Sequence, residues 1–312
     1  QDQAGEIVCK DLAYAYNESS PFETYALNGV DLHIPSGSFF GIIGHTGSGK
    51  STFVQHLNGL IKLPTAQKKY KAKKGQRPSQ TVLNVGGFDL TDKNTDFKAL
   101  RAKVGMVFQY PEQQLFAETV FEDVAFGLRN FKPNTTEREV ETFVREAIEK
   151  VGLDYQKVKS VSPFELSGGQ KRRVAIAGVI VTKPEILVLD EPAAGLDPRG
   201  KEEIMSLLHD LKNTWCKTVI VVSHDMDEIA ENCDRVAVFS DGKVLIEGET
   251  QELFSAVDEL ENAGLGLPFT AQVLEELKTL GLQLNAPLTV RGFAQALSCA
   301  YKTRTEGGRE NG

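Results

Sequence analysis

Short apolar runs recur along the chain, separated by segments whose apolar positions fall at helical spacing. Residues 39–43, 81–85, 104–108, 186–189 and 219–222 each read as a buried strand. Residues 6–16 and 29–38 are expected as two further strands near the start. Phe53, Val54 and Leu57 mark a helix that begins near Lys50. Val140, Phe143, Val144, Ala147, Ile148 and Val151 mark one face of another. Thr136 and Glu139 open it at capping-box spacing, and Gly152 supplies its stop. A further helix follows Leu166 and runs through Ile180. Strands of this length with helices between them predict an α/β fold, with a mostly parallel sheet and helices on both faces. Asp241-Gly242, between the runs 235–239 and 243–246, predicts a hairpin. Beyond residue 250 the texture changes. Leu253, Val273, Leu274, Leu277 and Leu280 predict short helices broken by Gly264, Gly266 and Pro268, and another helix covers roughly 289–300. Residues 303–312 are polar and contain glycine, so disorder is expected there.

Composition narrows the class. The chain has 312 residues, 41% apolar and 25% charged, as expected of a soluble globular protein. No apolar run approaches the ~18 residues of a membrane span, and the start shows no signal-peptide pattern. A net charge of −8 argues against a general nucleic-acid binder. Cys9, Cys216, Cys233 and Cys299 form no C-x-x-C pair, which favours reduced thiols in a cytosolic protein.

The chemistry centres on Gly44-His45-Thr46-Gly47-Ser48-Gly49-Lys50-Ser51-Thr52, a G-x-x-x-x-G-K-S phosphate loop between a strand and a helix. Gly44, Gly47 and Gly49 let backbone amides close on a triphosphate, at the positive end of the following helix. Lys50 would bridge the β- and γ-phosphates, and the Ser51 hydroxyl would hold Mg²⁺. The strand at 186–189 ends in Asp190, placed to give Mg²⁺ a carboxylate, and adjacent Glu191 can polarise a water. Gln109 follows another buried strand, at the end where ligands of α/β sheets bind. Leu166-Ser167-Gly168-Gly169-Gln170 opens a helix and forms a second anion site. Packing of a sheet face is the favoured reading of Tyr14-Ala15-Tyr16 alone; if one of the two aromatics stacks on a base, Tyr16, at the strand's exit, is the one placed to do so. Residues 62–80 carry seven Lys or Arg and no acid. They read as a solvated loop or, alternatively, as a contact for an anionic membrane face.

In order along the chain stand the loop at 44–51, Gln109, residues 166–170, Asp190-Glu191, Leu196-Asp197 and His224. This set resembles the ATP-binding cassette (ABC) ATPase family over about residues 6–250. The resemblance implies a phosphate-loop ABC nucleotide-binding domain with a mixed sheet core, an antiparallel β subdomain and a helical subdomain at roughly 109–182. A C-terminal helical appendage at 251–302 would aid dimerisation. It also implies ATP and Mg²⁺ as cofactors, with Ser51, Gln109 and Asp190 at the metal. Two cassettes would meet head to tail. Ser167, Gly168, Gly169 and Gln170 would face ATP held by the other cassette, Glu191 would be the general base, and His224 would sense the γ-phosphate. Asp197 would lie in the loop communicating across the dimer.

The stretch 107–116, then Glu118-Thr119-Val120 and 122–127, is similar to ATPases of energy-coupling factor transporters. The 44–52 loop, Leu57-Asn58-Gly59-Leu60 and Leu196-Asp197-Pro198-Arg199-Gly200 are similar to their second paralogue. That resemblance implies a paralogous ABC ATPase as heterodimer partner, a transmembrane T component and a substrate-binding S component. It also implies a peripheral place on the cytoplasmic face of the cell membrane, with Gln109 coupling the metal site to transport. Ala193 departs from the threonine the family commonly carries there. Two alternatives remain: a homodimeric cobalt- or nickel-type importer ATPase, and a soluble ABC ATPase of DNA repair or translation.

Overall fold

The computed structural model describes residues 3–17, 21–63, 81–255, 260–261 and 264–307. Strand β1 (Ile7–Tyr16) pairs antiparallel with β2 (Thr24–Ile34), then β3 (Phe39–Ile43) leads into α1 (Lys50–Leu57). β4 (Val82–Val85) returns to β1 and, with β5 (Phe88–Asp89), completes a sheet of order β2-β1-β4-β5. β2 begins at Thr24 rather than 29 and ends at Ile34 rather than 38. It stops there because Pro35 has no ladder N–H to give.

A second sheet holds the site. After α2 (Phe97–Lys103) come β6 (Val104–Val107), α3 (Val120–Phe131), α4 (Glu137–Lys150), α5 (Tyr155–Val158) and α6 (Gly168–Ile180). Then follow β7 (Ile186–Asp190), α7 (Pro198–Thr214), β8 (Thr218–Val222), α8 (Met226–Asn232) and the hairpin β9 (Arg235–Ser240) and β10 (Lys243–Glu249). The order is β10-β9-β3-β8-β7-β6, parallel throughout except for β10. The capping box at Thr136 forms: Glu139 Oε2 accepts from the Thr136 amide at 2.8 Å.

Strand alternation divides the interior in two. Phe39, Ile43, Leu187, Leu189, Val219 and Val221 face a core shared with α3, α4, α6 and α7. Phe40, Ile42, Ile186, Val188, Ile220 and Val222 face a core shared with the antiparallel sheet, α1 and α2. Helices therefore lie on both faces as expected, but on the second face the antiparallel sheet shares the cover.

The C-terminal region packs on the helix-side core. After α9 (Thr250–Leu253), residues Leu253, Phe254, Leu260, Leu265, Ala271 and Leu288 join the helix-side core. The helices Phe269–Thr279 and Val290–Gly307 start against α8, where Asp227 accepts from the Phe269 amide at 2.7 Å and Glu231 from the Val290 amide at 3.3 Å. An acid at a helix start complements its dipole. Residues 303–307, expected to be disordered, continue the last helix. Residues 308–312 and nearly all of the basic segment 62–80 lie outside the described residues. Among those described, no helix is long and apolar enough to cross a membrane.

Candidate nucleotide site

β3 ends in the loop, and neighbouring backbone dictates which positions are glycine. A Cβ on Gly44 would lie 2.2 Å from the Phe239 carbonyl oxygen, and one on Gly49 2.5 Å from that of Ala26. The Ser48 carbonyl accepts from the Gly242 amide at 3.0 Å, and the Gly242 carbonyl from the Asn28 amide at 2.7 Å. The β9–β10 hairpin and β2 thus brace the loop from behind. His45, Thr46 and Gly47 are exposed, and the His45 ring contacts the Thr46 carbonyl at 2.8 Å.

Lys50 is buried and donates to the carbonyls of Gly44 at 2.6 Å and His45 at 2.9 Å. Burial lowers its pKa, opposed by the charges of Glu191 and Asp190. Asp190 ends β7 hydrogen-bonded to Ser51. Burial raises its pKa, the Ser51 bond lowers it, Glu191 raises it and Lys50 lowers it. A serine hydroxyl already meeting a carboxylate fits a magnesium ion, which uses few protein oxygens and completes its shell with phosphate and water. Gln109, exposed, follows β6 beside β7, where Val107 is in register with Leu189. The carboxyl ends of β3, β6, β7 and β8 thus deliver the loop, Gln109, Asp190 and His224 to one sheet edge.

Glu191 sits in left-handed backbone, φ +52, a conformation non-glycine residues adopt at a cost. Its amide donates to the Val222 carbonyl at 2.8 Å, and its carboxylate oxygens lie 2.8 and 2.9 Å from His224 Nδ1. The Glu191 side chain is 14% exposed and that of His224 74%, so the pair opens outward from the sheet edge. Tyr16 borders the loop through a 3.2 Å contact between its hydroxyl and Thr52 Oγ1, and its ring meets Tyr14 edge-on. Tyr16 is 40% exposed.

The turn at 166–170 is built differently. Ser167 caps α6: its hydroxyl accepts from the Gln170 amide at 3.3 Å, while Gln170 Oε1 accepts from the Ser167 amide at 3.0 Å. That leaves the amides of Gly168 and Gly169 outside the cap. Ser167, Gly168 and Gly169 are exposed, and nothing lies within 4 Å of a Cβ at either glycine. Asp197, also exposed, caps α7 by accepting from the Gly200 amide at 2.8 Å.

Sequence reasoning passed over two charged residues here. Glu228 lies on α8, four residues after His224 in sequence, 9% exposed, with one carboxyl oxygen unpartnered. Burial, reinforced by Asp225, pushes its pKa up to about 7. Arg172, on α6, is 5% exposed and bonds across to Glu112 and to the loop after Glu191. No local pattern announces it, because its acceptors lie on two other segments of the chain.

A sequence description of the ABC transporter family matches residues 27–194, from β2 through the Asp190-Glu191 loop. The chain belongs to the ABC transporter family. As a cassette of that family it binds and hydrolyses ATP. This cassette is 48% identical over 275 residues to the energy-coupling factor transporter ATP-binding protein EcfA2 of Symbiobacterium thermophilum, covering 88% of this chain and 89% of that one. It is 45% identical to EcfA2 of Bacillus licheniformis, covering 95% and 98%. Among solved structures, cbiO1 of Clostridium perfringens, part of the ABC transporter complex cbiONQ, superposes with a TM-score of 0.67 at 34% identity, covering 86% of the cassette and 98% of that chain. The ATP-binding cassette MJ0796, solved as a dimer after hydrolysis with ADP and Pi, gives 0.65 at 29% identity, covering 78% and 98%.

Proposed function

We propose that this chain is the ATPase subunit of an energy-coupling factor transporter and that it powers uptake of vitamins or other micronutrients. One observation carries the reading. Lys50, Ser51, Asp190, Glu191 and His224 converge on one sheet edge, whereas Ser167, Gly168 and Gly169 point outward with two amides uncapped. A site split in this way is completed by a second cassette, whose own turn would cover the γ-phosphate held here.

In hydrolysis Lys50 leaves the loop carbonyls for the β- and γ-phosphate oxygens. Mg²⁺ held by Ser51, Asp190 and Gln109 would neutralise further charge on those phosphates. Glu191 orients a water towards the γ-phosphorus and takes its proton as the P–O bond to the β-phosphate breaks. His224 steadies the Glu191 carboxylate through Nδ1 and keeps Nε2 for the γ-phosphate. Tyr16 stacks on the base.

The partners proposed are a paralogous cassette, a transmembrane T component and a small substrate-binding S component, with this chain peripheral on the cytoplasmic face. We assign 1–250 to the cassette, 109–182 to its helical subdomain and 251–302 to dimerisation. Segment 109–116 would pass cassette closure to the T component, and exposed Tyr110 and Phe116 support a contact there. Altering Gln113 is expected to lower uptake per ATP.

Affinity purification of the tagged chain from membranes tests this reading. It should bring down a second cassette and two membrane proteins. Recovery of a self-dimer with nucleic acid or ribosomes, and no membrane protein, would sink it.

A further inference from the structure

The loop that carries Glu191 is gripped by a side chain from another element. Arg172 Nη1 donates to the Ala194 carbonyl at 2.8 Å and to the Pro192 carbonyl at 3.3 Å. On its other side, Arg172 Nε donates to Glu112 Oε2 at 3.3 Å. Its side chain is 6% exposed and that of Glu112 24%. A guanidinium this deep is tolerated only where acceptors surround it, and its planar fork can hold several at fixed angles. Arg172 stands in the second turn of α6, and none of these acceptors belongs to that helix. What keeps arginine there lies outside its own helix.

Both grip points matter to the chemistry. Pro192 and Ala194 follow Glu191, whose backbone is held at φ +52. Glu112 belongs to the single turn Pro111–Gln114, which leaves Tyr110 at φ +55 and precedes exposed Phe116. Arg172 is therefore the one described side chain that bonds to both the 111–114 turn and the 192–194 loop.

We propose that Arg172 is a positioning residue: it clamps the loop that aims Glu191 and ties that clamp to Glu112, so that displacement of the 111–114 turn shifts the hydrolytic carboxylate. The clamp needs only the hydrolysis reading. The tie to transport rests on the coupling role proposed above for segment 109–116.

The test uses the purified assembly containing this chain, in proteoliposomes, with ATP-binding sites counted so that rates are per competent site. Misplacing a catalytic group by about 1 Å can cost on the order of 100-fold, so R172Q is expected to lower kcat per site at least about tenfold. The Kd for ATP should stay within about twofold, because residues 44–52 are untouched. E112Q should lower kcat less than R172Q, and should lower uptake per ATP hydrolysed, a ratio that loss of folded protein does not move. The double variant should hydrolyse no more slowly than R172Q, because both changes break one chain of contacts. R172K keeps the charge but cannot span three acceptors, so it should fall between wild type and R172Q, and it carries the test if R172Q does not fold. Per-site kcat of wild-type size in R172Q or R172K would overturn the clamp, and losses that multiply in the double variant would overturn its link to Glu112. Unchanged uptake per ATP in E112Q would overturn the tie. A wild-type assembly that hydrolyses ATP but imports nothing would count against the transporter reading alone, and the kcat comparison would still decide the clamp.

Discussion

The phosphate loop and the turn at 166–170 are both glycine-rich and both sit at helix starts, yet they are glycine-rich for different reasons. In the loop, the chain's own backbone forbids anything larger, with carbonyls 2.2 and 2.5 Å from where Cβ atoms would stand on Gly44 and Gly49. Around Gly168 and Gly169 nothing approaches within 4 Å, and neither has a positive φ. Fold alone would accept alanine at both. Where the fold does not require glycine, the requirement comes from something that arrives later, and backbone amides brought close to an anion are the chemistry two bare glycines at a helix start provide. One region is finished within the chain; in the function proposed above, the other is half of a contact.

The contrast can be broken most forcefully at Glu191, which belongs to the finished half. Glu191→Gln keeps the shape but removes the base, so turnover should fall by about 100–10,000-fold while ATP still binds. Wild-type turnover in that variant would reject the assignment. Gly169→Ala is next: turnover should drop by about 100-fold, as when a positioned donor is lost, yet folding stability should change by less than about 1 kcal/mol or even rise. If unfolding midpoints fall and turnover does not, the two halves have been misjudged. Gly44→Ala should instead cost about 2–3 kcal/mol in denaturant unfolding, because the new methyl meets a carbonyl. Tyr16→Ala should weaken ATP binding by roughly 1–3 kcal/mol, the worth of one stacked base, and leave kcat nearly alone, as nucleotide titration would reveal.

The smallest effect concerns Glu228. Its folded pKa of about 7 lies above its ordinary 4.5, so between those values the folded chain holds a proton that the unfolded chain has released. Stability then falls as pH rises through that window and levels off above it. Melting temperature followed from pH 5 to 8 should drop a few degrees more steeply in wild type than in Glu228→Gln. Parallel slopes would show that the carboxyl does not titrate there.

Much of this was readable because local rules and tertiary context agreed. The loop, the Thr136–Glu139 cap, the β7 run into Asp190 and the Asp241-Gly242 hairpin each rest on a few neighbouring residues, and each stands where expected. The missed features depend on distant partners. β2 begins early because Thr24 and Tyr25 pair with Tyr16 and Ala15 across the sheet, which no pattern in 21–28 announces. Residues 303–307 were too polar to suggest a helix, yet they extend one already started at Val290. The network of Arg172, Glu112 and Ala194 joins three segments far apart in sequence, and only folding brings them together.

The Lys50 ammonium rests on the carbonyls of Gly44 and His45. Entry of a phosphate chain is thus an exchange of ligands on one nitrogen, and the incomer must outbid two neutral oxygens. A nucleoside without phosphates offers the ammonium nothing better than it has. Those contacts make the loop a gauge of negative charge, because an uncharged look-alike has nothing with which to replace them.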